Sequence, residues 1–302
     1  MISGHDPGID DVSTSPMDLD DPSDRYPALD QRLGEVLRSV VPLSDGDIAR
    51  IEQLQTGQGM RFGEAAVALG LARPVDVEWA LSRQFHYAWT RRPRGLNDPT
   101  LTMACDPFSP QAEAFRDLRA QLMSDARLAG RPLAVCGAGR GVGRSHCAAN
   151  LAIAFSQLGA RTLLIDADMR FPQQHRYFGM QRPLGLSDLL AKRAAPGVVQ
   201  RDTDLPDLHL LFAGSVPPNP LELLQGSNFR RLLAAVTRSF DHIVIDTPAA
   251  DSCADARVIA AAAGAALLVG RVHHSPLKAM QQLVEGATRA GAVVAGVVMV
   301  EH

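Results

Sequence analysis

The chain has 302 residues, enough for more than one domain, with 30 basic against 33 acidic side chains and a net charge of −3. Such a balance offers no broad basic field for nucleic acid. Its four cysteines (Cys105, Cys136, Cys147 and Cys253) form no CxxC pair, so neither a zinc site nor a disulfide framework is indicated, as fits a reducing compartment. The longest apolar stretch, Val258 to Gly270, is too short to span a bilayer, so any membrane role is expected to come through a partner.

Residues 1–25 are rich in Asp, Ser and Pro with little to bury, and read as a disordered acidic leader, a solvated tail. The acidic N-terminus lacks the apolar core of a signal peptide. Residues 26–90 hold an internal repeat: Arg32-Leu33-Gly34-Glu35 runs to Gln55, and Arg61-Phe62-Gly63-Glu64 runs to Gln84. In each copy the Gln follows the Arg by 23 positions, and five residues, Thr56 to Met60, separate the copies. Each copy reads as two short helices, with Ser44 and Asp47 set to cap the second and Pro74 suited to a first helical turn. Residues 91–110, with clustered Arg and Pro, have the composition of a linker.

A helix around Ala112 to Ala126 precedes alternating strands and helices. The short apolar runs Pro132–Cys136, Arg161–Asp166, Leu208–Phe212, His242–Asp246, Ala265–Val269 and Val293–Val300 are the expected strands. Separated by helix-length segments, they imply an α/β domain over 111–302, a mostly parallel sheet covered by helices on both faces.

After the first strand comes Gly139-Arg140-Gly141-Val142-Gly143-Arg144-Ser145-His146, then a helix whose Ala148, Leu151, Ala152, Phe155 and Leu158 share one face and which Gly159 is placed to stop. Glycines let backbone N–H groups turn onto phosphate oxygens, and the helix N-terminus adds positive potential. Ser145 sits where a hydroxyl would hold Mg2+, whereas Arg144 replaces the Lys of the usual phosphate loop, a planar fork in place of a compact point charge. Asp166 and Asp168 end one strand and Asp246 ends another. Taken alone, one such acid would pass for a helix cap. Ligands of open α/β sheets bind beyond the carboxyl ends of strands, so all three segments should converge on one rim. There, acids can hold Mg2+ and polarise an attacking hydroxyl.

The order of Gly139 to Ser145, Leu163 to Arg170, Pro217 to Leu224 and Ile245 to Pro248 resembles the bacterial tyrosine kinases of polysaccharide export, over about residues 105–300. The likeness extends to their EpsG-type members, which also carry Arg in the loop. The resemblance implies a P-loop NTPase fold, ATP on the loop from Gly139 to His146, Mg2+ at Ser145, Asp166 and Asp246, and Asp166, Asp168 and Arg144 in catalysis. It further implies a regulator of exopolysaccharide chain length and export, cytoplasmic, peripheral to the inner membrane through a membrane chain-length determinant, and homo-oligomeric. Glu113, Arg116 and Arg119 match the motif that the family uses between subunits of a ring; as residues they also read as a charged helix face. The family's tyrosine-rich tail is missing, since the sequence ends at Glu301-His302 and its three tyrosines are Tyr26, Tyr87 and Tyr177. Autophosphorylation of such a tail is therefore not expected.

The paired repeats resemble the N-terminal domain of type II secretion and pilus ATPases, some of which bind cyclic di-GMP. Carried over, Arg32, Leu33, Gly34, Gln55, Arg61, Phe62, Gly63 and Gln84 would contact that ligand; the other reading is a helical docking domain whose apolar positions are core. Three functions stay open at this point: a protein-tyrosine kinase, a catalytically weak nucleotide- and cyclic di-GMP-binding scaffold, and a partitioning-type ATPase. The last usually has a Lys where Gly139 stands.

Overall fold

The computed structural model describes residues 27–84, 101–181, 183–202 and 205–301, with the side chains of 27–32 and 196 also outside the described set. The leader 1–25, Tyr26, Tyr87, the side chain of Arg32 and the part of the expected linker over 91–100 therefore lie outside the described residues. The chain divides into two compact units, Met1–Gln84 and Phe85–His302.

The first unit is helical: α1 Pro27–Arg38, α2 Asp45–Gln58, α3 Phe62–Ala68 and α4 Pro74–Gln84. Each repeat copy thus supplies two helices. Ser44 caps α2, its side chain accepting from the Asp47 N–H while Asp47 accepts from the Ser44 N–H; Glu64 does the latter for Arg61 at α3. Leu33, Leu37, Ile51, Phe62, Ala65, Ala66, Ala72 and Ala80 form its core. A Cβ on Gly63 would stand 2.4 Å from Val77 Cγ1, so this repeat glycine lets α3 approach α4.

The second unit begins with α5 Thr102–Cys105 and α6 Pro110–Ser124. Here the linker expectation needs correction: Leu101, Met103 and Ala104 are fully buried in the core of this unit. Then follow β1 Leu133–Gly137, α7 Arg144–Ser156, β2 Thr162–Asp166, α8 Gln174–Tyr177, α9 Leu186–Leu190, β3 Gln200–Arg201 and β4 Leu208–Leu211. The chain continues through α10 Pro220–Gln225, α11 Ser227–Val236, β5 His242–Asp246, α12 Asp255–Ala263, β6 Ala265–Arg271, α13 Leu277–Arg289 and β7 Val293–Val300.

The sheet order is β3-β4-β2-β5-β1-β6-β7, parallel except for the short antiparallel β3 at one edge. Successive strand residues face opposite layers. Leu133, Val135, Leu164 and Val244 join the core under α7, whereas Ala134, Cys136, Leu163, Ile165 and Ile245 join the core under α12. This is the P-loop NTPase architecture, with helices on both faces of a mostly parallel sheet. One detail differs from expectation: α7 is not amphipathic, because Cys147 to Ser156 are buried all round, while Leu158, beyond its end, is 50% exposed.

Candidate active site

Parallel strands β1, β2 and β5 lie side by side, so their C-terminal ends open onto one rim. The loop from Gly139 to Ser145 leaves β1 there and enters α7. Gly141 (φ +70°) and Gly143 (φ +91°) take left-handed backbone that other residues rarely adopt, the kind of conformation in which successive N–H groups can converge on an anion. A cleft of about 570 Å³ lies along this loop, lined by residues Arg140 to His146 and by Asp168, Arg170, Phe171 and Tyr177. Arg140 stacks on the Phe171 ring, its guanidinium carbon 3.5 Å from the ring centre.

Arg144, only 7% exposed, points its guanidinium into the protein: Nε donates to the Thr247 carbonyl at 3.0 Å and an Nη to the Gly139 carbonyl at 2.5 Å. It ties the loop's two ends to the end of β5. Room for its stem exists because residue 137 is glycine; a Cβ there would meet Arg144 Cγ at 2.8 Å and Val142 Cγ2 at 2.7 Å. Sequence reasoning had no cue for this use of Gly137.

The three acids converge as expected. Asp166 and Asp246 are fully buried and Asp168 nearly so. Asp166 accepts the Asp168 N–H on Oδ1 (3.1 Å) and the Gln174 N–H on Oδ2 (3.1 Å). Asp168 Oδ1 accepts the N–H groups of Arg170 (3.2 Å) and Phe171 (2.9 Å), and Oδ2 takes no part in these two bonds. Burial, then the neighbouring Asp246, hold Asp166 well above the usual carboxylate range. Burial likewise pushes Asp246 up to about 6, against the Ser145 hydroxyl, the Gln174 amide and the Arg144 charge, which lower it.

Gln174 escaped the sequence reading altogether. Its side-chain amide donates to Asp246 Oδ2 (2.9 Å) and to the Ser145 carbonyl (2.9 Å), so one residue bridges loop and acid. Gln174 Oε1 and Asp246 Oδ1 are buried acceptors with no hydrogen-bond partner. Buried acceptors in that state are costly and call for a donor or a cation. Carboxylate and hydroxyl oxygens are the ligands that Mg2+ prefers, and it is usually held by one or two carboxylates together with substrate phosphates. The Ser145, Asp166 and Asp246 set, two carboxylates and a hydroxyl, fits that pattern; among the described residues no group of three or more His, Cys, Asp and Glu is arranged to hold a metal ion by itself.

His146, the third residue of α7, packs edge-on against Phe115 and shares a hydrogen bond with Asn150. Asn150 in turn accepts the Met103 N–H at 3.0 Å, which fastens α5 to the helix of the phosphate loop. The charged motif on α6 is used within the chain: Arg116 bonds Glu113 and the Pro107 carbonyl, and Arg119 donates to the Ala154 carbonyl of α7 at 2.6 Å. In the first unit, Leu33 and Phe62 are core, and Gly34 packs on the Phe62 ring. Gln55, Arg61 and Gln84 lie outside that core.

No helix among the described residues is long and apolar enough to cross a membrane. A family model described as ATPase MipZ matches residues 133–277. EpsB of Ralstonia solanacearum, by name a tyrosine-protein kinase, is 40% identical over 194 residues, 64% of this chain; the chain spans about a quarter (26%) of that relative's length. CapB of Staphylococcus aureus, also a tyrosine-protein kinase by name, is 33% identical over 64% of this chain and 85% of its own. Among solved structures, the kinase domain of Escherichia coli tyrosine kinase ETK superposes with a TM-score of 0.63 at 30% identity, covering 69% of this chain and 82% of that domain.

Proposed function

We propose that this chain, which belongs to the bacterial tyrosine-protein kinase family, binds ATP with Mg2+ on the loop from Gly139 to His146 and transfers its γ-phosphoryl group to a tyrosine hydroxyl. The observation that carries this reading is the meeting of Asp166, Asp168 and Asp246 with the end of the glycine loop at one rim, through strand register and the Gln174 bridge to Ser145. Backbone N–H groups turned by Gly141 and Gly143 receive phosphate oxygens. Ser145, Asp166 and Asp246 would hold Mg2+, which would supply neutralising charge to the phosphates. Asp168, on the cleft wall, accepts the hydroxyl proton as the tyrosine oxygen bonds to phosphorus and the bond to the bridging oxygen breaks, releasing ADP.

For the cell, this reading makes the chain a regulator of exopolysaccharide chain length and export, working with a membrane chain-length determinant as a homo-oligomer on the cytoplasmic side. The first unit serves as its docking module. Binding of cyclic di-GMP through Arg61, Gln55, Gln84 and Arg32 is the finer form of that reading, since the repeat's apolar members are already used in packing.

One observation favours a second reading, a nucleotide-binding scaffold with weak turnover: Arg144 spends its guanidinium on the Gly139 and Thr247 carbonyls. Calorimetry with Mg·ATP, with Asp246→Ala as control, tests the site, and a phosphotyrosine assay with Asp168→Asn tests transfer. Binding in the micromolar range, about −8 kcal/mol, that the control loses supports both readings. Transfer that Asp168→Asn abolishes decides for the kinase, and binding without any transfer, even with the membrane partner present, decides for the scaffold. No binding sinks both.

A further inference from the structure

The amide of Gln174 sits where three motifs meet, and its geometry asks for more than packing. The side chain is 1% exposed. Its Nε2 spends both protons, one on the Ser145 carbonyl and one on Asp246 Oδ2. Its backbone N–H holds Asp166 Oδ2. That leaves Gln174 Oε1 a buried acceptor without a donor, and the carboxylate it holds carries a second one, Asp246 Oδ1. Two orphan acceptors on hydrogen-bonded side chains each call for a donor or a cation, and a group that brings several O–H donors would serve both. A divalent cation that keeps its hydration water is such a group, since Mg2+ sheds water reluctantly and retains several molecules when bound. Outer-shell hydrogen bonds of this kind orient first ligands and set metal affinity.

We propose that Gln174 is a positioning residue for the hydrated divalent cation. Its Nε2 fixes the rotamer of Asp246 against the phosphate loop, and its Oε1 accepts a hydrogen bond from metal-bound water. The inference rests on the nucleotide-binding reading above. It adds a residue that no motif spacing identifies, acting through Asp246 and water rather than on the reacting atoms.

The test compares ADP affinity of the full chain by calorimetry in Mg2+ and in EDTA, for wild type, Gln174→Met and Gln174→Glu. Methionine keeps the volume and removes donor and acceptor together; glutamate keeps an oxygen toward the cation and loses the amide donor. The expected result is a wild-type affinity that Mg2+ tightens at least tenfold. In Gln174→Met that tightening falls to less than about threefold, while affinity in EDTA stays within about twofold of wild type. In Gln174→Glu, which loses the hold on Asp246 and keeps an oxygen for the hydrated cation, the tightening is intermediate between wild type and Gln174→Met. A Gln174→Met chain that keeps the full Mg2+ response overturns the inference, as does equal loss of the response in both variants or an equal fall in both buffers, either of which marks a purely structural part. Wild type that binds ADP without responding to Mg2+ overturns the inference alone, whereas wild type that binds no ADP in either buffer overturns the nucleotide-binding reading and the inference with it.

Discussion

Asp166 and Asp246 are register partners on the adjacent parallel strands β2 and β5, both fully buried, so two carboxylates stand side by side at the end of the sheet. Burial raises both carboxyls above their usual range, the Asp246 charge raises Asp166 further, and the Asp168 charge adds to the rise of Asp246.

A pH dependence follows. With a folded pKa of about 6 against an unfolded value of about 3.9, Asp246 contributes stability that is fully present below about pH 4 and is lost as pH rises through 6. In metal-free buffer, Asp246→Asn is therefore expected to exceed wild type in stability at pH 8 by an amount on the order of 3 kcal/mol, with the gap closing toward pH 4. Urea unfolding at the two pH values measures it; a gap that does not change with pH refutes the assignment. The site trades stability for a charge that it needs.

Arg144 holds two carbonyls with a planar fork, and an ammonium cannot reproduce both bonds. Arg144→Lys should lose about 1–2 kcal/mol of stability and keep ADP binding, whereas Arg144→Ala should lose about 2–4 kcal/mol because both acceptors are left without a partner. Equal stability of the two variants in denaturant titrations would show that the carbonyl contacts contribute little.

Gly185 and Gly286 make a contrasting pair. A Cβ on Gly185 would stand 2.0 Å from the Phe212 carbonyl oxygen, backbone that cannot move aside, whereas one on Gly286 in α13 meets nothing within 4 Å. Gly185→Ala is expected to cost at least about 3 kcal/mol or to prevent folding. Gly286→Ala should instead add about 0.5–1 kcal/mol through helix propensity and lower chain entropy. Melting curves of both variants decide.

Asp255, buried at the start of α12, is held by Arg170 through Nε (2.8 Å) and a second guanidinium nitrogen (3.2 Å). Arg170→Met strands that carboxylate and should cost about 2 kcal/mol, a figure discounted because Arg170 itself is about a third exposed. Adding Asp255→Asn should recover at least half of the loss. A double variant no better than the single one would show that the guanidinium acts through packing instead.

Some of this was legible in the chain itself. His242–Asp246 and Val293–Val300 coincide with β5 and β7: β5 is buried along Ile243 to Asp246 and so writes itself as a short apolar run, and β7, a partly exposed edge strand, is legible from its valines. The meeting of Asp166, Asp168 and Asp246 was legible too, since parallel strands bring their carboxyl ends to one rim whatever their order. β3 was not legible: it is two residues long, half exposed, and exists only by pairing with β4. Leu101, Met103 and Ala104 read as linker because Arg and Pro dominate their neighbourhood; that they are buried depends on α7 lying against them through Asn150 and Gln157.

The sequence by itself determined what is local: a helix cap at Ser44, a helix start at Pro74, glycines able to take positive φ at 141 and 143, and acids at strand ends, all set by sterics and hydrogen bonds within a few residues. Only the tertiary structure decided how those parts are joined. Arg144 reaches a carbonyl 103 positions away and Gln174 reaches a carboxylate 72 positions away. Such bonds depend on the order in which the strands lie in the sheet, and no local pattern of side chains encodes which distant backbone will pass within 3 Å.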